Sequence, residues 1–206
     1  MSIVGVIGGS GGVGASTFAA AIASAAAASV LVDADPVSGG IDVLLGIEEH
    51  PGARWSGLRV DGGRLDPDLL AAGLPRWGAV RVLAADVAPA APAVAQVVAA
   101  AAGFGQVIID LPRVCPPDYD AVLQSCELLV VVAAAEVRAL SAAASVLRSL
   151  PTDGRKGVVL RRGAVPTDEA AALLGAPLVG VLPPPERTRS GAVGRVAEGL
   201  LDGLAA

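Results

Sequence analysis

Residues 9–17 have the glycine spacing of a loop that binds phosphate. They fit the pattern G-x-x-x-x-G-K-[ST] at Gly9, Gly14 and Ser16. In that pattern the glycine amides surround a phosphate, the lysine binds its oxygens and the hydroxyl binds magnesium. Ala15 stands where the pattern requires lysine. The sequence therefore predicts a phosphate cradle that lacks its usual cation.

The residues on either side of this loop predict a strand before it and a helix after it. Residues 3–7 form a short, mostly β-branched apolar run, and residues 16–28 are rich in alanine. A helix that begins at the loop adds its partial positive charge to the loop amides. A chain with 26 glycines can form glycine loops by chance. Chance would not also place one between the first strand and the first helix, so we favour the phosphate-binding interpretation.

Three aspartates stand at or just after predicted strand ends. Asp33 ends the run 29–33, Asp35 lies two residues later, and Asp110 follows residues 107–109. Because ligands bind at the carboxyl ends of parallel strands, we expect these carboxylates to lie near the loop. Asp110 is predicted to hold a water of a magnesium shell. The alternative is that it caps a turn or a helix.

Apolar runs with strand character alternate with helical segments along the whole chain. Strands are predicted near residues 2–8, 29–33, 79–84, 106–110, 127–133, 157–161 and 178–182. Helices are predicted near residues 16–28, 40–46, 66–73, 90–102, 117–124, 136–149, 167–174 and 189–204. Continuous apolar runs, such as residues 128–132, are typical of parallel strands covered on both faces. We therefore predict an α/β fold, a doubly wound and mostly parallel sheet with helices on both faces, in a single domain over residues 1–206.

The pattern loosens between residues 48 and 78, in a stretch of turns that holds Trp55 and Trp77. This stretch is either a surface excursion or a face that binds a partner, and we favour the excursion.

Composition narrows the class of protein. Hydrophobic residues make up 53% of the chain and charged residues 17%, which predicts a compact, soluble domain. The net charge of −5 argues against direct binding of nucleic acid, which needs a basic surface. Cys115 and Cys126 lack metal-binding spacing and are typical of reduced thiols in a cytoplasmic protein. From the short, interrupted apolar runs we expect neither a signal peptide nor a membrane span.

The C-terminal stretch from residue 190 to residue 206 predicts an amphipathic helix. Its apolar face comprises Val193, Ala197, Leu200, Leu201 and Leu204. Acidic side chains outnumber basic ones on the rest of this segment, so we expect the helix to pack on its own domain or on a partner. No strong intrinsic binding to a membrane is expected.

Residues 10–17, which read S-G-G-V-G-A-S-T, resemble the deviant phosphate loop K-G-G-x-G-K-[ST]-T of the ParA/MinD superfamily. In that superfamily the first lysine crosses a dimer interface to the partner's nucleotide, and the second binds the nucleotide of its own chain. These positions are Ser10 and Ala15 here. Lys156 is the only lysine and lies far from the loop in sequence.

Further stretches resemble one branch of this superfamily, the CpaE/TadZ-like proteins that position Flp (tight adherence) pilus machinery. The resemblance is greatest to the actinobacterial CpaE-like group that includes the septum-site-determining protein. The matching stretches are residues 31–36 and 39–46 (switch I), 57–59, 74–78, 82–83, 107–113 (Walker B and switch II) and 135–139. Relatives usually carry a receiver-like domain before this one, and we expect that domain to be absent from this chain.

The resemblance implies a set of site residues. The nucleotide-binding set is Gly9, Ser10, Gly11, Gly12, Val13, Gly14, Ala15, Ser16, Thr17, Arg161 and Pro183. The magnesium set, acting through water, is Ser16, Asp33 and Asp110. Asp35 is the one catalytic candidate, because the superfamily uses such a carboxylate to orient the attacking water. Arg161 is expected either to stack on the base or to contact solvent.

Loss of the lysine weakens catalysis more than binding. A charge-assisted hydrogen bond contributes about 1.5–3 kcal/mol, which corresponds to roughly a tenfold to hundredfold loss of affinity. Hydrolysis also depends on cations that neutralise charge developing on the transferred phosphoryl group. We therefore expect ATP or ADP with magnesium to bind weakly or not at all, and hydrolysis to be negligible. Arg113 and Arg138 are arginines that could substitute for the lysine.

The expected function is that of a CpaE/TadZ-like positioning or scaffold protein that recruits pilus-assembly or septum components, rather than an enzyme. A homodimer is one expected assembly, in the cytoplasm, with recruitment to the cell pole or septum. The alternative is a nucleotide-switched ParA/MinD-type ATPase that regulates septum placement or partition. A third interpretation is an interaction domain whose phosphate pocket is closed.

Overall fold

Strands and helices alternate along the chain in the predicted order. The computed structural model describes residues 2–60, 65–151, 154–185 and 190–205. The strands are β1 (Ile3–Gly8), β2 (Ser29–Asp33), β3 (Arg76–Trp77), β4 (Val80–Leu83), β5 (Gln106–Leu111), β6 (Leu128–Ala134), β7 (Lys156–Arg161) and β8 (Leu178–Leu182). The helices are α1 (Ala15–Ala25), α2 (Ile41–Leu45), α3 (Pro67–Gly73), α4 (Ala91–Ala101), α5 (Asp120–Ser125), α6 (Val137–Ser149), α7 (Thr167–Leu174) and α8 (Ser190–Ala205).

These strands form one sheet in the order β3-β4-β2-β5-β1-β6-β7-β8. Every neighbouring pair is parallel except β3 with β4. The prediction of a doubly wound, mostly parallel sheet is confirmed. Strand β1 lies between β5 and β6, so the loop that follows it opens at the centre of the carboxyl edge, where such sheets bind their ligands.

Two apolar layers cover the sheet, one on each face. On one face Ile7 packs in a cluster with buried side chains of α3 to α7. On the other face Val4 and Val6 pack with buried side chains of α1, α2 and α8. This two-sided burial explains why the strands are continuously apolar in sequence. Cys115 and Cys126 are both free thiols.

The loosely patterned stretch between residues 48 and 78 is anchored to the core at Trp55. This side chain is buried, and its indole Nε1 donates a hydrogen bond to the main-chain oxygen of Asp33 at 2.6 Å. Trp55 therefore ties the stretch to the core, while residues 48–52 are exposed, as a surface excursion predicts. Farther along, β3 pairs with β4 in a short hairpin across Gly78, which the sequence pattern did not predict. Residues 61–64 of this stretch lie outside the described ranges.

Helix α8 packs on its own domain, as its apolar face predicted. Val193, Ala197 and Leu200 are buried in the layer formed with α1. Leu201 and Leu204 are partly buried against the same layer. None of the helices within the described ranges combines the length and the apolar character that a membrane crossing requires.

Candidate functional site

A cleft of about 550 Å³ opens at the carboxyl edge of the central strands. The loop after β1 forms its floor, the segment between β2 and α2 forms one wall, and the end of β5 forms the other. The residues that line it are Gly8, Ser10, Gly11, Gly12, Val13, Gly14, Ala15, Ser16, Thr17, Asp35, Val37, Ser38, Gly40, Ile41, Leu44, Asp110, Leu111 and Arg113. The cleft thus brings together most of the predicted nucleotide-binding residues.

The loop has a backbone shape that presents amides to the cleft. Gly12 and Gly14 have left-handed backbone angles, with φ of 70° and 89°. Gly14 caps α1 without any side-chain hydrogen bond, and the first turn of α1 contains no acidic residue. The first N–H groups of a helix have no partner within the helix, and they carry partial positive charge. The start of α1 therefore supplies donors to an anion in the cleft.

Helix α6 and strand β6 hold the start of the loop. The amide of Gly9 donates to the main-chain oxygen of Val132 at 2.8 Å. A Cβ atom at Gly9 would lie 2.7 Å from the Cβ of Ala143, closer than side chains can approach. Gly9 is therefore needed for close packing beneath the loop, and it does not line the cleft.

The other end of the loop is held by Arg161. Its Nε donates to the main-chain oxygen of Val13 and its Nη1 to that of Pro183, both at 3.0 Å. Its Nη2 lies 2.8 Å from the place where a Cβ of residue 14 would stand. Arg161 is buried, and this burial lowers the pKa of its guanidinium. Neither Arg161 nor Pro183 lines the cleft. A contact of Arg161 with a base stays a prediction.

Asp110 presents a buried carboxylate to the cleft. Its side chain is 2% exposed, and its Oδ2 has no hydrogen-bond partner among the described residues. Burial raises the pKa of Asp110 to about 7, although a hydrogen bond from Ser16 acts to lower it. An unpartnered buried oxygen beside the Ser16 hydroxyl is an arrangement that a hydrated magnesium ion would complete.

Asp33 lies directly beside Asp110 across the β2–β5 pair, but it has a different environment. Its Oδ1 accepts from the amide of Asp35, and its Oδ2 accepts from the amides of Ile41 and Ala85. Burial raises the pKa of Asp33 to about 6, although these three hydrogen bonds act to lower it. Asp33 does not line the cleft. Its contacts show it organising the segment after β2, while its part in a magnesium shell stays a prediction.

Asp35 lies at the cleft and is only partly buried. Its Oδ1 accepts a hydrogen bond from the amide of Val37, which shapes the turn that follows. The wall residues at positions 37, 38, 40, 41 and 44 were not among the predicted site residues. The Gly39-Gly40 pair after Asp35 was the available signal, since it indicates a loop that folds back before α2.

The residues present fit a magnesium-bound phosphate better than a metal alone. The described residues contain no group of three or more His, Cys, Asp or Glu side chains that could hold a metal ion. Magnesium is usually bound by one or two carboxylates together with phosphate oxygens and waters. Ser16 and Asp110 supply the protein side of such a shell, and the loop amides supply donors for the phosphates.

Comparison with solved structures defines the class of fold. The chain superimposes on a ParA family ATPase from Chlorobium tepidum with a TM-score of 0.77 and 18% identity, covering 100% of this chain and 93% of that one. The MinD of a MinC:MinD cell division complex from Aquifex aeolicus superimposes with a TM-score of 0.77 and 17% identity, covering 100% of this chain and 96% of that one. The septum site-determining protein MinD of Pyrococcus horikoshii, complexed with Mg-ADP, superimposes with a TM-score of 0.70 and 20% identity. That match covers 100% of this chain and 97% of the other. This chain has the fold of the ParA and MinD ATPases.

The sequence is similar to two curated proteins. It is 40% identical over 186 residues to uncharacterized protein Rv3660c of Mycobacterium tuberculosis strain H37Rv and to uncharacterized protein MT3760 of strain CDC 1551. Each match covers 86% of this chain and 53% of the relative, so the chain spans about half the length of these proteins. No family model matches the sequence.

Proposed function

We propose that this chain is a ParA/MinD-type domain of the CpaE/TadZ-like branch that binds ATP or ADP with magnesium and hydrolyses little or none of it. It would act as a positioning scaffold that recruits pilus-assembly or septum components. The observation that carries the proposal is the cleft itself: a glycine loop and a buried, unpartnered carboxylate oxygen surround a position where alanine replaces lysine.

Each residue of the cleft has a role in this proposal. The amides of the loop and of the first turn of α1 bind the phosphates. Ser16 and Asp110 hold the magnesium shell, Asp110 through its free Oδ2. Arg161 keeps the loop in its binding shape through its hydrogen bond to the main-chain oxygen of Val13. The magnesium ion, when bound, neutralises phosphate charge.

Weak hydrolysis follows from the charges of the cleft. Its lining in the described ranges contains the carboxylates of Asp35 and Asp110 and the single cation Arg113. Positions 10 and 15, where relatives of this kind carry lysine, are Ser10 and Ala15. Without those cations the transition state of phosphoryl transfer loses much of its electrostatic stabilisation.

A nucleotide-switched ATPase is the second candidate, and Asp35 is the observation that favours it. This carboxylate lies in the cleft, where it could orient an attacking water. Such an enzyme would need an arginine in place of the lysine during catalysis. The two functions are separated by turnover, since both require nucleotide binding.

Titration calorimetry with MgATP and MgADP, paired with a phosphate-release assay, tests the proposal. We expect binding that is weaker than that of lysine-containing relatives, and phosphate release no faster than in a buffer blank. The Ala15→Lys variant should bind MgATP roughly tenfold to a hundredfold more tightly, because it adds a charge-assisted hydrogen bond. Ala15→Met, similar in length but uncharged, is the matched control and should show no such gain. Rapid phosphate release, or the absence of any binding, would contradict the proposal.

A further inference from the structure

We propose that Arg113 supplies, from the same chain, the phosphate-binding cation that the loop lacks. The inference rests on the proposed function, because it assumes that the cleft receives the phosphates of a nucleotide. The inference adds that the cleft recognises the polyphosphate through an arginine that follows β5 and lines the same cleft as Ala15.

The position of Arg113 is the first support. Its Nη1 lies 3.8 Å from the point where a Cβ of Gly11 would stand, so the guanidinium reaches the glycine turn of the loop. Arg113 also lines the cleft together with Ala15 and Ser16. It follows the end of β5 by two residues, and Pro112 between them restricts the backbone. The strand end thus directs this side chain over the phosphate loop.

The availability of Arg113 is the second support. Its side chain is exposed, and it forms no hydrogen bond or ion pair with any residue that the structure describes. Arg161 is also close to the loop, but its guanidinium donates to the main-chain oxygens of Val13 and Pro183 and does not line the cleft. Arg138 is exposed at the start of α6 and does not line the cleft either.

Charge balance is the third support. The described lining of the cleft has two carboxylates and one guanidinium. A polyphosphate brings several negative charges, and magnesium offsets only part of them. An arginine can bind phosphate oxygens through two parallel N–H groups, which a lysine cannot do. Arg113 would therefore recognise the phosphates in their magnesium-bound form and discriminate against adenosine, which has none.

Calorimetry with MgATP and with magnesium tripolyphosphate tests this assignment. Arg113→Ala should lower the affinity for both probes roughly tenfold to a hundredfold. Arg148→Ala is the matched control, because Arg148 is an exposed arginine near the end of α6 whose described hydrogen bond is with Ser145. Arg138→Ala tests the rival arginine, and both of these variants should bind as the wild type does. None of the three substitutions should shift the melting temperature without ligand.

A double variant makes the test specific for charge. If Arg113 and a lysine at position 15 serve the same phosphates, Ala15→Lys should improve binding more in the Arg113→Ala background than in the wild type. Wild-type binding that Arg113→Ala leaves unchanged would overturn this inference and leave the proposed function standing. A loss of binding in Arg138→Ala instead would also overturn it.

The tripolyphosphate arm separates failure of the inference from failure of the proposed function. If the wild type binds magnesium tripolyphosphate but shows no preference for MgATP, the nucleotide function fails, and dependence on Arg113 still supports the cation. If the wild type binds neither probe, both the inference and the proposed function are overturned.

Discussion

Two neighbouring aspartates illustrate how the same residue type serves different purposes at equivalent strand positions. Asp33 and Asp110 pair directly across β2 and β5. Asp33 accepts three main-chain hydrogen bonds, whereas the Oδ2 of Asp110 has no partner in the described ranges. Asp33 therefore builds the wall of the cleft, and Asp110 is left for a ligand. This difference predicts that the same substitution affects stability differently at the two positions.

Asp110→Asn should stabilise the protein without ligand at pH 8. Burial raises the folded-state pKa of Asp110 to about 7 from 3.8, so the folded protein binds this proton more tightly than the unfolded chain does. Stability is then lost as the pH rises from about 4 to about 7, and Asn avoids that loss. We expect a gain on the order of 2–4 kcal/mol in the free energy of unfolding at pH 8, shrinking towards zero near pH 4. Urea denaturation at both pH values measures it.

Asp33→Asn is the matched control for this substitution. An amide nitrogen would replace one of two oxygens that accept main-chain N–H groups, so donors would face each other in a buried position. Because burial raises the pKa of Asp33 to about 6, Asn also avoids a smaller pH-dependent loss of stability at this position. The mismatched donors cost about 1–3 kcal/mol and offset that gain, so we expect Asp33→Asn to give no net stabilisation at pH 8. If Asp110→Asn likewise gave no gain at pH 8, the Asp110 carboxylate would have structural partners of its own, contrary to its proposed role.

At the scale of elements, Arg161 ties together parts of the chain that are far apart in sequence. It ends β7, and it contacts both the phosphate loop after β1 and the segment after β8. The contact with Val13 supplies a donor to the main-chain oxygen of a buried residue. The shape of the loop therefore depends on the packing of β7 as well as on its own glycines.

Arg161→Ala should loosen the phosphate loop and lower stability. The substitution removes the hydrogen bonds of the guanidinium to the main-chain oxygens of Val13 and Pro183, and we expect a loss of about 2–4 kcal/mol in the free energy of unfolding. Hydrogen exchange should accelerate in peptides that cover residues 9–17. Arg162→Ala is the matched control, because Arg162 is the next residue along the chain and its side chain is exposed. It should change neither the free energy of unfolding nor the exchange rate. Unchanged exchange in Arg161→Ala would show that the loop holds its shape unaided.

At the scale of the whole molecule, exposed apolar side chains border the cleft. Val37 is 87% exposed, Leu44 is 49% exposed and Val114 is 79% exposed. Val37 and Leu44 line the cleft, and Val114 follows Arg113. Apolar side chains grouped beside a site are typical of surfaces that another protein covers. The proposed scaffold function favours a second copy of this chain as that protein.

Addition of MgATP should therefore double the mass measured by light scattering from that of a 20.2 kDa monomer, without phosphate release. Val114→Glu should prevent the doubling, because it places a charge in the apolar contact. Leu173→Glu is the control, since Leu173 is an exposed apolar residue of α7 outside the cleft. A mass that does not respond to MgATP would favour an interaction domain that works without nucleotide, and doubling with turnover would favour the switched ATPase.

Local features of the chain were sufficient to predict most of the fold. Continuous apolar runs predicted the seven longer strands, and the apolar face of residues 190–206 predicted how α8 packs. The phosphate loop was predictable because its glycines and its flanking elements are adjacent in sequence. Strand β3 was not predicted, because two residues are too few to show a period.

Contacts between distant residues were decided only by the tertiary structure. The sequence did not predict that main-chain amides of Ile41 and Ala85 donate to the Oδ2 of Asp33, whose part in a magnesium shell stays a prediction. It offered stacking on a base or contact with solvent for Arg161, and it did not predict that packing brings the guanidinium to Val13, 148 positions away. Periodicity and spacing record which elements a chain forms, because those depend on near neighbours. They do not record which main-chain groups from other elements fill a side chain's hydrogen-bonding positions, because that depends on how the elements pack.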